Sequence, residues 1–406
     1  PIPGGRGVLV TFYRGPGRFS DIAVVDLETK EVTYLLKGYY GRYSQGFLFH
    51  VTPEAALIAT PFDERRLEIT GTERATGVNV RADIQSEQPA LMALARDGSL
   101  IYLPLRGQGG RSLLAWVGRD GSEELIDADL WRNFSAVSLS PSGDRIAMSL
   151  FEAGQGAVWT YGLADGTLSR LTFDGVQVYR PLWSPDGARI AYVSDRESEA
   201  LLRSVWIQPA DGSGAPERLV ESGERMVQEL TWSADGQSIA YREGFSDGER
   251  MRDIWVLRAG ADTTRRPIVA TDADEQNPKL SPDGRWLAYI SDESGRDEVY
   301  VQPFPEGDGR WQISLGGGTE PLWARNGREL FFRDNNSNLV AVPVLPGDAF
   351  RTGPPQVLFS TVGYLSEGNS TSYDISPDGS RFLMIKRPAD ETLVMVINWI
   401  EELRQP

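Results

Sequence analysis

The chain has 406 residues, 41 basic and 57 acidic side chains, a formal net charge of −16, one histidine and no cysteine. Disulfides, thiolate nucleophiles, iron–sulfur ligation and cysteine-ligated zinc are excluded, and His50 alone cannot build a multi-histidine metal centre. The acid surplus, with no compensating basic stripe, argues against a nucleic-acid partner.

At roughly 150 residues per domain, the length predicts two or three domains. No stretch reaches 18 apolar residues, and the start PIPGGRGVLV has no cationic-then-apolar signal pattern, so no membrane segment is expected in these residues. The first residue is Pro1, not methionine, which reads as a fragment or a processed product whose address is encoded upstream.

In chain order, one repeat dominates. Weak copies come first: PGGRGVLV (Pro3–Val10), YSQGFLFHV (Tyr43–Val51) and ARDGSLIYL (Ala95–Leu103). Strong copies follow: SPSGDRIA (Ser140–Ala147), SPDGARIAY (Ser184–Tyr192), SADGQSIAY (Ser233–Tyr241), SPDGRWLAY (Ser281–Tyr289), ARNGRELFF (Ala324–Phe332) and SPDGSRFLM (Ser376–Met384). The nine turn glycines lie 41 to 52 residues apart, the period of a four-stranded propeller blade. Proline presets φ, Asp or Asn bonds the local backbone, and Gly takes the positive φ of a tight hairpin. Apolar residues four before and three after the glycine, such as Trp183 and Ile190, mark one strand arriving and one leaving. A third strand follows, as in SVWIQP (Ser204–Pro209), and a short fourth, as in ERLVE (Glu217–Glu221). The fold class is all-β, a β-propeller of four-stranded antiparallel blades.

The last copy supplies SYDI, RFLMIK and LVMVINW as strands before the short helix-like ending NWIEELRQP, so its outer strand must come from earlier sequence. EELIDA (Glu123–Ala128) is the expected source. This favours three degenerate blades of an N-terminal propeller over residues 1–120 and a six-bladed propeller over 121–406. A single ring of eight or nine blades is the alternative.

Repeats of the form SPDG-x-x-(I/L)-A-(Y/F), followed by SD-x-x-x-G-x-x-x-(I/V)-Y as in Ser281–Pro305, resemble TolB-type propeller repeats. RWQISLGGGTEPLWARNGRELFF (Arg310–Phe332), YDISPDGSRFLMIK (Tyr373–Lys386) and the ending INWIEELRQP resemble the C-terminal region of multi-domain bacterial serine/threonine protein kinases. That resemblance implies an extracytoplasmic propeller whose kinase domain and membrane helix lie elsewhere in the parent protein, with further repeats upstream of Pro1. No kinase motif is carried here: His50 precedes Val51 and not Arg-Asp, and Phe173–Gly175 reads FDG.

Candidate chemistry is sparse. GFSDG (Gly244–Gly248) centres Ser246 in a G-x-S-x-G pattern, but a strand follows where a hydrolase needs a helix, so a polar loop is the better reading. His50 reads as a blade residue, hydrogen-bonded or facing solvent. Asp97, Asp186, Asp235, Asp283 and Asp378 are explained by turn chemistry, which leaves no assignable carboxylate pair. Asp272, Asp274 and Glu275, or Asp334, Asn335, Asn336 and Asn338, lack an EF-hand's central Gly and distal Glu and read as solvated loops. Gly316–Gly318 reads as an inter-blade turn. Trp183, Trp232 and Trp323, and Trp159, Trp206 and Trp255, sit at fixed repeat positions and read as packing between blades.

Segments joining an outer strand to the next inner strand reach the channel mouth. Seven residues before the turn glycine that position holds Arg180, Glu229, Asn277, Glu320 and Ser372, a polar ring that a channel ligand would meet. The expectation is therefore a non-catalytic propeller, with no cofactor or metal, that recognises a protein, peptide or small ligand. A periplasmic TolB-like docking scaffold and the gating propeller of a serine peptidase are the alternatives.

Overall fold

The computed structural model describes residues 2–12, 20–52, 55–80, 90–95, 97–103, 111–152, 155–175, 177–198, 202–223, 225–244, 252–258, 265–368, 370–387, 393–397 and 399–400. Each Ser-x-Asp-Gly turn closes a hairpin through one side-chain circuit. In the copy at Ser184, the Gly187 amide donates to the Ser184 carbonyl at 2.9 Å, and the Ser184 hydroxyl oxygen accepts the Arg189 amide at 3.0 Å. The Asp186 carboxylate accepts the Ser184 hydroxyl and, at 3.0 Å, the Ala188 amide. The circuits at Ser233, Ser281 and Ser376 use the same donors and acceptors. Hydrogen bonds from Ser376 and Ser380 pull the Asp378 carboxyl down to about 2. These aspartates are committed to their turns.

The chain divides into two compact units, Pro1–Gly110 with Ala389–Pro406, and Arg111–Pro388. The second contains six four-stranded antiparallel sheets. From inner to outer strand, blade 1 is Phe134–Leu139, Arg145–Glu152, Gln155–Gly162 and Leu168–Arg170, and blade 2 is Val178–Trp183, Arg189–Ser194, Ser204–Pro209 and Glu217–Val220. Blade 3 is Met226–Trp232, Ser238–Gly244, Asp253–Arg258 and Arg265–Val269. Blade 4 is Glu275–Leu280, Trp286–Ser291, Glu298–Pro303 and Trp311–Gln312. Blade 5 is Gly318–Trp323, Glu329–Asp334, Asn338–Pro343 and Gln356–Ser360. Blade 6 joins Tyr373–Ile375 and Arg381–Lys386 to Leu113–Gly118 and Glu123–Leu125.

Every neighbouring pair of blades shares an apolar cluster. Val158 meets Trp183 and Tyr192 between blades 1 and 2, Val205 meets Trp232 between 2 and 3, and Ile254 meets Tyr289 between 3 and 4. Val299 meets Trp323 between 4 and 5, Phe331 meets Phe382 edge-on between 5 and 6, and Leu383 meets Met148 between 6 and 1. The set closes on itself, so the six sheets form a ring. Each large side chain in these seams contributes roughly 1.5–3 kcal/mol by leaving water. The repeat-position tryptophans are accordingly buried or half-buried between blades.

The closing blade differs from the sequence expectation in one respect. Glu123–Leu125 is its outer strand, but the third strand is Leu113–Gly118, which pairs with Arg381–Lys386 over six residues. LLAWV is buried along its length and supplies the longer apolar ladder. The stretch read as a third strand, Val394–Val396, instead pairs with Leu100–Tyr102 in the other unit. The second compact unit begins at Arg111, so the Leu113–Gly118 strand lies within it. The C-terminal helix expected over NWIEELRQP lies almost wholly outside the described residues.

Among its described residues, the first unit holds three sheets. Gly7–Phe12, Asp21–Asp26 and Val32–Lys37 form one. Tyr39–Ser44, Phe47–Val51, Ala56–Asp63 and Glu68–Ile69 form a second, with Arg74–Asn79 added against Ala56–Asp63. Met92–Leu94, Leu100–Tyr102 and Val394–Val396 form the third. Trp399 packs on Phe49 at 5.4 Å between ring centroids. Among the described residues, no helix is long and apolar enough to cross a membrane.

Gly284 has φ +70° and no heavy atom within 4 Å of where a Cβ would stand, so its substitution tests backbone conformation alone. Gly284→Ala is expected to cost about 1–2 kcal/mol, read from the urea midpoint, with Gly284→Asn recovering part of the loss.

Candidate functional site

In blades 2 to 5 the innermost strand breaks its ladder at the same place. Register shifts fall at Tyr179/Leu182, Val227/Leu230, Gln276/Lys279 and Thr319/Leu322. Pro181, Pro278 and Pro321 account for three of them, because proline has no N–H to give the neighbouring strand. The residues before them, Arg180, Asn277 and Glu320, take left-handed φ values of 58°, 52° and 54°.

Arg180, Glu229, Asn277, Glu320 and Ser372 therefore all lie on the innermost strands or at their start, and most are bonded to one another or to a common segment. Glu229, 5% exposed, pairs with Arg180 and, from the next strand of its own blade, with Arg242, whose Nη2 donates to Glu229 Oε1 at 2.7 Å. Arg242 Nη1 also donates to Gln276 Oε1 at 3.1 Å, and burial pulls its pKa down to about 10. Glu320 accepts the amide and hydroxyl of Ser372 at 2.9 and 2.7 Å, and Arg333 Nε lies 3.5 Å away.

The segment joining blades 5 and 6 crosses this level. Ser366 donates to Glu320, Glu367 lies 3.6 Å from Arg180, and Asn277 Nδ2 donates to Thr371 at 3.1 Å. The segment thus reaches side chains of blades 2, 4 and 5. Asn277, Glu320 and Ser372 are buried beneath it, although the sequence placed them at an open mouth.

A cavity of about 290 Å³ occupies the axis. Arg180, Glu229 and Asn277 line it; Glu320 and Ser372 stand outside its lining. Five residues before each turn glycine, all six blades contribute one lining residue: Ser138, Leu182, Thr231, Lys279, Leu322 and Asp374. At the turn end, the position two before the glycine holds Pro141, Pro185, Ala234, Pro282 and Pro377 in five blades and Arg325 in blade 5. Arg325 Nη2 lies 3.3 Å from Asp374 Oδ1 and donates to the Leu139 carbonyl at 3.1 Å. Sequence reading missed Lys279, Asp374 and Arg325. Their signal is a charge at an inward repeat position where most copies hold a neutral residue.

The other candidates stand apart from this site. Ser246 lies outside the described residues. His50 is buried in the first unit and does not face solvent: Nε2 is 3.8 Å from Glu73 Oε1, Nδ1 has no hydrogen-bond partner, and burial depresses its pKa. Asp334 accepts the amides of Asn336 and Asn338 at 2.9 and 2.8 Å, which makes that loop a capped turn. Asp274 pairs with Arg252 at 2.8 Å.

These features define the class of the protein, a β-propeller with an axial cavity lined by charged and apolar side chains. No family model matches the chain. Over 111 residues, 23% of this chain, it is 32% identical to the Tol-Pal system protein TolB of Anaeromyxobacter dehalogenans strain 2CP-C, with the same identity in strain 2CP-1 / ATCC BAA-258. The chain spans about a quarter of the length of these curated relatives, 24%. A solved structure from Agrobacterium tumefaciens assigned to TolB aligns with a TM-score of 0.53 at 19% identity, covering 69% of this chain and 99% of that one. The fold is that of a TolB-like propeller, with distant homology to TolB over part of the chain.

Removing Glu229 would strand Arg242 and Arg180. Glu229→Gln is expected to cost about 3–5 kcal/mol in urea unfolding, and the double change Glu229→Leu, Arg242→Met should recover most of it.

Glu275, fully buried at the start of the blade 4 inner strand, has its pKa pushed up to about 7 by burial, against the opposing hydrogen bonds of Thr271. Below the ordinary glutamate range both folded and unfolded forms are protonated. As pH rises towards about 7 the unfolded form ionises first, so stability falls across that window. Glu275→Gln should remove about 1–3 kcal/mol of this loss, seen as a flatter stability profile between pH 5 and pH 8.

Proposed function

We propose that this chain is a non-catalytic, extracytoplasmic recognition propeller that binds a protein, peptide or small ligand at the axis of its six-bladed unit. The observation that carries the reading is the axial cavity, lined by side chains from every blade and carrying charged groups on the ring. The C-terminal stretches Arg310–Phe332 and Tyr373–Lys386 support the finer reading, the sensor region of a bacterial membrane-bound serine/threonine kinase. A second reading, a periplasmic TolB-like scaffold that docks partner proteins, draws on the 111-residue match to TolB. Both use the propeller for binding and leave chemistry to other domains.

The test is a thermal-shift screen of the full chain against short peptides and metabolites. At least one ligand class should raise the melting temperature, and the shift should shrink in Arg180→Lys, whose side chain borders the cavity. Binding unaffected by Arg180→Lys, or no binder in the panel, would overturn the axial reading.

A further inference from the structure

Around the cavity, charges are matched with one exception. Glu229 and Glu367 together serve Arg180 and Arg242, Glu320 serves Arg333, and Asp374 serves Arg325. Asp374 is further satisfied: Oδ2 accepts the Leu139 amide and Oδ1 the Ile375 amide, both at 2.8 Å. On the same tier, Thr231 accepts the Leu280 amide at 3.2 Å and the Ser138 carbonyl accepts the Trp183 indole at 3.1 Å. Lys279 contributes its carbonyl, which accepts the Trp323 indole at 2.9 Å. Among the described residues, its ammonium makes no hydrogen bond and no ion pair.

We infer that Lys279 anchors the carboxylate of a ligand with an apolar body, either a small organic acid or the C-terminus of a peptide; this rests on the axial-binding reading above. Among the described residues no protein group accepts from this ammonium at the cavity lining, and an anion seated on it would supply a charge-assisted partner. One surplus positive charge suits a monoanion. A phosphate dianion would bring its second charge close to Asp374 and Glu229, whose fields already act on Lys279. Leu182 and Leu322 on the same tier, with Trp183, Trp232 and Trp323 in the wall, supply apolar contact for the rest of the ligand. The volume, about 290 Å³, accommodates a small acid or the last residue or two of a chain. Arg325 stands at the turn end, 36% exposed, where five blades are uncharged, so an incoming carboxylate meets a cation before it reaches Lys279. Burial lowers the Lys279 pKa and the neighbouring carboxylates oppose that shift.

Calorimetry on the full chain tests this with hexanoate, phenylacetate and a short apolar peptide, each beside its amide counterpart. The carboxylates should bind at least about tenfold more tightly than the amides. Preference for the free acid or for the peptide identifies the source. Lys279→Met should abolish the preference, Lys279→Arg should retain it, and Lys279→Met should unfold at the same or a higher temperature, because it removes an unpaired charge. Equal binding of acid and amide, or unchanged acid binding by Lys279→Met, overturns the carboxylate anchor. If that binding still depends on Arg180, the axial reading survives; if no probe or library member binds, both fall.

Discussion

Ring closure is the constraint on which the second unit depends. A four-stranded blade has two faces and cannot cover either by itself, so each blade leaves apolar side chains for its neighbour to bury. The six clusters form a circuit, and the circuit is completed by a blade made of strands more than 250 residues apart, Leu113–Gly118 and Arg381–Lys386. Were that ladder to open, Trp116 and Leu383 on one side and Phe382 on the other would lose their seams together. Closure thus secures both flanking blades as well as the last one.

The axis inherits its chemistry from the same geometry. Six inner strands converge there, and the prolines that interrupt three of their ladders leave Arg180, Asn277 and Glu320 in left-handed backbone. Such backbone costs roughly 1–3 kcal/mol per residue and persists where the surroundings over-determine it. Here the surroundings are the buried ion pairs of Glu229 and Glu320 and the segment from blade 5 to blade 6 that covers them. This level of the channel is therefore largely self-satisfied. The next tier is not, since Lys279 shares it with Asp374 but finds Asp374 already engaged by two amides and Arg325. A cation without a partner in a chain of net charge −16 is a local arrangement that composition hides.

Much of the fold was legible because its signals are local. Ser184, Asp186 and Gly187 specify a hairpin within six residues, and the apolar positions on either side fix which face of the strands turns inward. The ring of Arg180, Glu229, Asn277, Glu320 and Ser372 was found by the same counting. Its burial was not, because the covering residues Ser366 and Glu367 come from a loop with no repeat signature. Leu113–Gly118 was passed over as a blade strand since no turn motif marks it; its pairing with Arg381–Lys386 is decided by an apolar ladder far away in sequence.

The sequence by itself determined the all-β class, the period, the turn chemistry and the absence of any thiol or multi-histidine site. These follow from residue identity and from spacings shorter than one blade. Only the tertiary structure decided which strands close the ring, that the C-terminal strand belongs with the first unit, and which axial charges are matched. Those outcomes depend on distances between segments that no local spacing encodes, and electrostatic matching at an axis depends on what every blade brings there at once.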